Sequence, residues 1–131
     1  MKKMISHKEI QHLLNIIAEN LAKSVIARMT MNSTVPIESR LAEDLVYAND
    51  IINIRSLLYE NPRDRAEVLY MRYLKLKDRI AMQRNIIASD APYDQNKAKW
   101  KGRIQATETI FEEIKKLMNI EDNNETAQTA T

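Results

Sequence analysis

The two histidines of this sequence, His7 and His12, are its first candidates for metal binding or proton transfer. Their five-residue spacing separates them by about 140° around a helix, so they cannot share one ion. Glu9 and His12 match the Glu-x-x-His spacing of carboxylate-bridged di-iron bundles, but such a centre needs two of these pairs and a carboxylate from each remaining helix. The sequence contains one pair. We therefore expect no metal here and interpret this stretch as a solvated first turn of helix.

Other catalytic residue patterns are also missing from the sequence. The absence of cysteine excludes thiolate zinc sites and cysteine nucleophiles, and the one glycine, Gly102, cannot form a glycine-rich phosphate loop. No serine lies in a G-x-S-x-G nucleophile motif. The adjacent acids Glu43 and Asp44 lie in an amphipathic pattern that predicts a surface position. We expect a protein that is not an enzyme, with no cofactor and no evident small-molecule substrate.

Basic residues form the best candidate for a ligand contact. They lie near the end of the predicted third helix and near the start of the fourth, so they would meet at one tip of a helical hairpin. These cations are Arg79, Arg84, Lys97, Lys99, Lys101 and Arg103. Such a cluster could neutralise several phosphates and would bind nucleic acid with a steep salt dependence. An exposed Trp100 could add a stacking surface for an unpaired base.

The position of Trp100 in the helical pattern favours a plainer interpretation. Trp100 begins a series with Ile104, Phe111, Ile114 and Met118 whose steps of three, four and seven residues define one helical face. Trp100 is therefore predicted to point into the bundle, while the cations around it flank that face or turn outward. Phosphate contact without base stacking stays open as an alternative.

Four helical patterns of similar length would carry these residues, over 6–31, 36–60, 62–89 and 92–119. The first opens with a capping box at Ser6 and Glu9. The third has Asn61 as its N-cap and Pro62 in its first turn. One glycine and three prolines are too few turn residues for a many-stranded sheet. The expected fold class is all-α, either an up-and-down bundle of four long helices or extended helical hairpins.

Each pattern has an apolar stripe at intervals of three and four residues, which predicts the side that faces the core. In the first helix the stripe comprises Ile10, Leu13, Leu14, Ile17, Leu21, Val25 and Met29. In the second it comprises Ile37, Leu41, Leu45, Ala48, Ile51, Ile52 and Leu58. In the third it comprises Ala66, Leu69, Tyr73, Leu76, Ile80 and Ile87, with Gln83 interrupting.

The joint at Asn61-Pro62 has two possible geometries, because the dipeptide could reverse the chain or merely kink one very long helix. Charge favours the reversal. Residues 36–60 hold two cations and five acids, a net charge of −3, whereas residues 62–89 hold seven cations and three acids, a net charge of +4. Two antiparallel helices of opposite charge attract each other modestly.

A single domain over residues 1–120 followed by a flexible tail at 121–131 is the expected organisation. The tail is polar and acidic, with no large side chain whose burial would offset the entropy lost on ordering. No run approaches the length of an apolar membrane span, and the first residues lack the apolar region of a secretory signal. We expect no membrane partner and a cytoplasmic protein, or a virion-associated one if the gene belongs to a phage.

The third helix has a second apolar side, formed by Val68, Met71, Leu74 and Met82. These residues lie mostly opposite the main stripe of that helix, and a helix that is apolar on two sides is either central in its bundle or faces another chain. Methionine suits adaptable contact surfaces, although it also fills gaps in a core. The four residues are therefore predicted to form a protein interface.

The leading functional hypothesis is a non-catalytic helical assembly subunit, either structural or adaptor, that associates with itself or with another protein. The alternative is a nucleic-acid-binding accessory or regulatory protein that uses the basic hairpin tip. In general style the chain resembles small all-helical proteins of phages and mobile elements, which assemble into rings, adaptors or regulatory complexes. No particular residue carries that resemblance.

Overall fold

The computed structural model describes residues 1–30, 35–88 and 94–120, with residues 94–96 described by their backbone alone. These residues form four α-helices and no strand, so the expected all-α class and helical bundle are confirmed. The helices are α1 (His7–Met29), α2 (Ile37–Arg55), α3 (Pro62–Ala88) and α4 (Asp94–Met118). α2 is shorter than predicted, because its last turn is a 3-10 helix at Ser56–Tyr59. The predicted tail lies outside the described residues.

Both predicted helix caps are present. The Ser6 hydroxyl accepts a hydrogen bond from the Glu9 amide at 3.1 Å, and the Glu9 carboxylate accepts one from the Ser6 amide at 3.2 Å. At the start of α3, the Asn61 side-chain oxygen accepts a hydrogen bond from the Asp64 amide at 2.9 Å. Each cap satisfies amide groups that the first turn of a helix leaves without a partner inside the helix.

The chain reverses at Asn61-Pro62. Arg72 of α3 forms an ion pair with Asp50 of α2, although the two would lie about 33 Å apart in one continuous helix. Arg65, which is buried, donates a hydrogen bond from Nε to the carbonyl oxygen of Leu57 at 2.7 Å. That carbonyl lies at the end of the preceding helix, where carbonyl groups need partners from elsewhere. The kinked single helix is therefore excluded.

The apolar core is concentrated at one end of the bundle. Because α1 and α3 run opposite to α2 and α4, the first halves of α1 and α3 meet the second halves of α2 and α4 at this end, here called the apolar end. Its buried residues are Ile5, Ile10, Leu13, Leu14, Ile17, Tyr47, Ile54, Leu57, Ala66, Leu69, Tyr73, Leu76, Ala106, Ile110, Ile114 and Met118. The segment before α1 is attached there, since the Lys2 amide donates to the Met118 carbonyl at 2.9 Å.

The predicted stripes of α1 and α3 agree with this burial in most positions. In α3, the five predicted residues from Ala66 to Ile80 are buried, and the interrupting Gln83 is buried as well. In α1, the predicted residues from Ile10 to Ile17 are buried, whereas Met29 at the other end of the helix is exposed. The core therefore thins toward the second end of the bundle, here called the polar end.

At the polar end, α2 and α4 run parallel and in close contact. A β-carbon on Gly102 of α4 would lie 2.8 Å from the carbonyl carbon of Ser39 in α2 and 2.9 Å from its Oγ. Only glycine permits this approach, which explains the position of the one glycine in the chain. The other two helices pack on this pair, α1 on α2 and α3 on α4.

Replacing Gly102 with alanine should destabilise the protein. A glycine-to-alanine change at an exposed helix position stabilises by about 1 kcal/mol, but here the added methyl group overlaps the Ser39 backbone and should lower the free energy of unfolding by about 2–3 kcal/mol. Urea unfolding measures the difference. Gln105→Ala, at an exposed position of the same helix, is the control and should change it little. An unchanged or raised stability of Gly102→Ala would contradict the close contact.

Candidate functional site

Helix α2 is oriented opposite to the prediction. The stripe assigned to its core side is exposed to solvent: Ile37 is 54% exposed, Leu41 44%, Leu45 70% and Ile52 62%, while Ala48 is half-buried. We call these five residues the α2 stripe. The buried residues of the helix are Ser39, Ala42, Glu43, Tyr47, Asp50 and Ile54. At about 100° per residue, the centre of this buried side lies directly opposite the centre of the α2 stripe.

The prediction for α2 was wrong because an apolar period shows which residues share a face and not which neighbour covers that face. Ile51 and Leu58, which the prediction also placed in the stripe, are partly buried against the core. The buried side recurs at the same helical spacing, but it mixes small, polar and apolar residues and so forms no apolar stripe. The residues that contact it lie on other helices. The one available signal was the single glycine, which needs a small residue opposite it.

The buried side of α2 carries charge. Glu43, which was predicted to lie at the surface, is 3% exposed, and Arg40 Nη1 donates to its Oε2 at 3.4 Å. Asp50 is 2% exposed and is paired with Arg72 of α3. Asp44, predicted at the surface as well, is mostly covered and lies 3.2 Å from the Arg28 guanidinium of α1. The surface prediction for Glu43 and Asp44 was wrong because it assumed that the α2 stripe faced the core.

These ion pairs are incompletely satisfied. Among the residues that the structure describes, no hydrogen-bond partner reaches Asp50 Oδ2, or Nε of Arg40 and Arg72. Burial raises the pKa of the Glu43 carboxyl, and the nearby charge of Arg40 opposes that rise without cancelling it. Burial likewise raises the pKa of the Asp50 carboxyl against the opposing charge of Arg72. Keeping both groups ionised inside the bundle therefore costs free energy.

The orientation of α2 thus has two unfavourable consequences, a buried charged side and an exposed apolar side. Fully burying a leucine or isoleucine contributes about 1.5–3 kcal/mol, and the four such side chains of the α2 stripe keep between 44% and 70% of their surface in water. Large apolar side chains that are exposed together on one side of a helix mark a candidate contact site for another molecule. The α2 stripe is therefore the main candidate interface, although its apolar periodicity predicts a core position.

The interface predicted on α3 is exposed too. Val68, Met71, Leu74 and Met82 have between 37% and 57% of their surface in solvent. Beside them, Val68 and Met71 line a groove together with Ile54 and Leu57 from the end of α2 and its 3-10 turn. Two exposed apolar faces are therefore present, on consecutive helices of one hairpin.

The six predicted nucleic-acid contacts are spread over several sides of the bundle. Lys99 and Lys101 are both exposed, but two residues of helix separate their directions by about 160°. Arg84 is ion-paired with Glu108 across the contact between α3 and α4. Arg79 is exposed, and its positive charge opposes the rise that burial causes in the pKa of the Asp50 carboxyl on α2.

Trp100 and its two remaining basic neighbours lie close to the bundle surface. Trp100 is half-buried, and the Arg103 guanidinium lies 4.8 Å from the centroid of its ring. Lys97 is half-buried as well. The predicted inward direction of Trp100 is therefore realised in part, and one face of its ring is covered by Arg103. Residues 89–93, which join α3 to α4, lie outside the described residues.

The candidates for metal chemistry are not brought together. His7 and His12 are exposed, and Glu9 serves the capping box and an ion pair with Lys2. Within residues 1–30, 35–88 and 94–120, no group of three or more potential ligand side chains is arranged to hold a metal ion. Over the same residues, no helix has the length and apolar composition of a membrane span.

Comparisons with known proteins identify no relative that would indicate a site. No protein-family model, curated protein or solved structure matches the chain. The features that single out a site are therefore the orientation of α2, its buried acids, and the apolar faces of α2 and α3.

The buried acids predict an unusual pH dependence. A carboxyl whose pKa is higher in the folded state than in the unfolded state stabilises the fold at acid pH, and this stabilisation is lost as the pH rises through the folded-state value. Replacing Glu43 with glutamine should therefore remove part of the loss of stability between mildly acid and neutral pH. Urea unfolding at a series of pH values measures this.

Glu9→Gln is the matched comparison. The hydrogen bond from Lys2 holds the Glu9 pKa below its ordinary value, so Glu9 stabilises the fold above the unfolded-state value and this is lost as the pH falls. Its replacement should lower stability mainly at neutral pH. If Glu43→Gln behaved in the same way, or left the pH profile of the parent protein unchanged, Glu43 would not be a buried carboxylate.

Proposed function

We propose that this protein is a non-catalytic helical assembly subunit, structural or adaptor in role, that works as an oligomer. The observation that supports this most strongly is the α2 stripe, a row of large apolar side chains on the outer side of a helix whose charged side is buried. Covering the stripe with another chain would remove apolar surface from water and offset the cost of the buried charges.

The exposed face of α3 supports the adaptor form of the proposal. An adaptor needs one surface for its own assembly and another for a partner protein, and α2 and α3 each present an apolar face. The two methionines on α3, Met71 and Met82, suit a contact that adapts to its partner. If the gene belongs to a phage, the assembly would be part of the virion. Otherwise it would be a complex in the cytoplasm.

The mass of the protein in solution tests the proposal. We expect light scattering on a sizing column to give a defined multiple of 15.3 kDa, with a shift toward smaller species on dilution. The shift follows because association is a mass-action equilibrium. A monomer at every concentration would contradict the proposal, since the apolar faces would then be exposed for some other reason.

A nucleic-acid-binding accessory role is the second candidate, supported by the exposure of Lys99 and Lys101 at the start of α4. Reversing both charges, Lys99→Glu with Lys101→Glu, should abolish binding of DNA or RNA and flatten its dependence on salt. Lys8→Glu with Lys23→Glu, at exposed positions of α1, is the control and should have a smaller effect. Immeasurable affinity of the unchanged protein at low salt would end this candidate.

A further inference from the structure

The α2 stripe has the spacing of a coiled-coil seam. Leu41, Leu45, Ala48 and Ile52 follow one another at steps of four, three and four residues. That is the alternation of d and a positions in a heptad, with Leu41 and Ala48 at d and Leu45 and Ile52 at a. Such a seam fits a second helix lying nearly parallel or antiparallel to α2, with side chains of each inserted between those of the other.

The same heptad frame extends by one position at each end, and both added positions are charged. Glu38, which is half-buried, occupies the a position before Leu41, and Arg55, which is exposed, occupies the d position after Ile52. The complete seam therefore begins with an acid, continues with four apolar residues, and ends with a base. This order decides how a second copy can align with it.

In an antiparallel pair of helices, each a position lies opposite a d position of the other helix. If Leu41 faces Ile52 of a second copy, then Leu45 faces its Ala48 and Glu38 faces its Arg55. In an antiparallel alignment, facing residues have numbers with a constant sum. The three pairs share one sum, so a single register forms all of them. The small Ala48 accommodates the large Leu45, and an ion pair closes the seam at both ends.

The other available alignments fit less well. A parallel pair would place Glu38 against Glu38 and Arg55 against Arg55, which juxtaposes like charges at both ends. Docking against the α3 face of a second copy would meet a broken seam. In the heptad frame of Val68, Met71 and Met82, the intervening positions are Lys75 and Asp78, both exposed and charged.

We propose that two copies of this chain associate through the α2 stripes in an antiparallel, two-fold symmetric seam, with Glu38 of each copy paired with Arg55 of the other. The inference rests on the proposed function and adds to it the partner and the register. A two-fold axis makes both halves of the contact identical, which is the commonest arrangement among homo-oligomers. The α3 faces stay outside the seam and free for a partner protein.

Engineered cysteines test the register directly, because the native chain has none. The double variant Leu41→Cys with Ile52→Cys should form a disulfide-linked dimer under mild oxidation, since each new cysteine faces the other type in the second copy. Within one helix the two positions lie about 17 Å apart, beyond the reach of a disulfide. A non-reducing gel reads the result.

The two single variants are the matched controls. In the proposed seam, the two copies of residue 41 are also about 17 Å apart along the helices, and so are the two copies of residue 52, so neither single variant should cross-link. Cross-linking of both single variants would indicate a parallel seam and overturn the proposed register. A double variant that does not cross-link would overturn it as well.

A charge swap provides a second test that leaves the apolar residues intact. Glu38→Arg places two arginines at each end of the seam and should raise the dissociation constant about tenfold, if each end contributes about 0.7 kcal/mol. Arg55→Glu should act similarly, and the variant with both changes should restore the original affinity. Asp78→Arg, on α3, is the control with the same charge change and should have no effect.

The outcomes separate this inference from the proposed function. If the protein associates but replacing Met71 and Leu74 with serine dissociates it, while the α2 variants do not, the α2 seam is wrong and the assembly proposal survives. If the unchanged protein is a monomer at every concentration, both are wrong. Restoration of affinity by the double charge swap would support the antiparallel register specifically.

Discussion

The close contact between Gly102 and Ser39 determines the orientation of α2, and the buried charges and the exposed stripe of that helix follow from it. A helix can approach another at backbone distance only through small side chains, and α2 has Ser39 and Ala42 on the required side. Once those residues face α4, helical geometry carries Glu43 and Asp50 inward. The same rotation turns the large residues Leu41 and Leu45 outward.

The two ends of the bundle have different energetic roles. The apolar end contains the continuous core, is attached to the segment before α1, and is closed by Arg65 at the reversal between α2 and α3. Among the described residues, the polar end buries Ser24, Glu43 and Gln83 beside the apolar Ala42, Ile80 and Ile104, so it contributes less apolar burial than the apolar end. The stability of the chain therefore comes mainly from the apolar end, and an added contact along α2 would contribute most at the polar end.

The buried carboxylates of α2 and its exposed apolar stripe lie on opposite sides of the same helix. A buried carboxylate paired with a guanidinium is weak support for stability, because the desolvation of the two charges roughly cancels their attraction. Such groups are retained in some proteins because they specify one arrangement over others. In α2, Glu43 and Asp50 lie on the side that the contact with Gly102 turns inward. The outer side is thereby left apolar and regular enough to specify a register for a second copy.

The sequence predicted the helices, their caps and the burial of α3 well, because these depend on local patterns. Ser6, Glu9 and Asn61 act within one helical turn, and the α3 stripe from Ala66 to Ile80 is an apolar row that no charged residue interrupts. These features need no knowledge of neighbouring helices.

The orientation of α2 could not be predicted in the same way, because it depends on residues far away in the chain. Gly102 is more than sixty positions from Ser39, and Arg72 reaches Asp50 across a chain reversal. The ion pair of Arg84 with Glu108, which joins α3 to α4, could not be predicted for the same reason. Periodicity identified the α2 stripe and the α3 row from Ala66 to Ile80 as apolar sides of their helices, and it could not tell that only the α3 row is covered.

The mass in solution of the Leu45→Asp variant, compared with the unchanged protein and with Met71→Asp, tests most directly whether α2 is the contact surface. We expect a dimer of the 15.3 kDa chain for the unchanged protein and for Met71→Asp, and a folded monomer for Leu45→Asp. A Leu45→Asp protein that keeps the mass of the unchanged protein would show that α2 is not the contact surface.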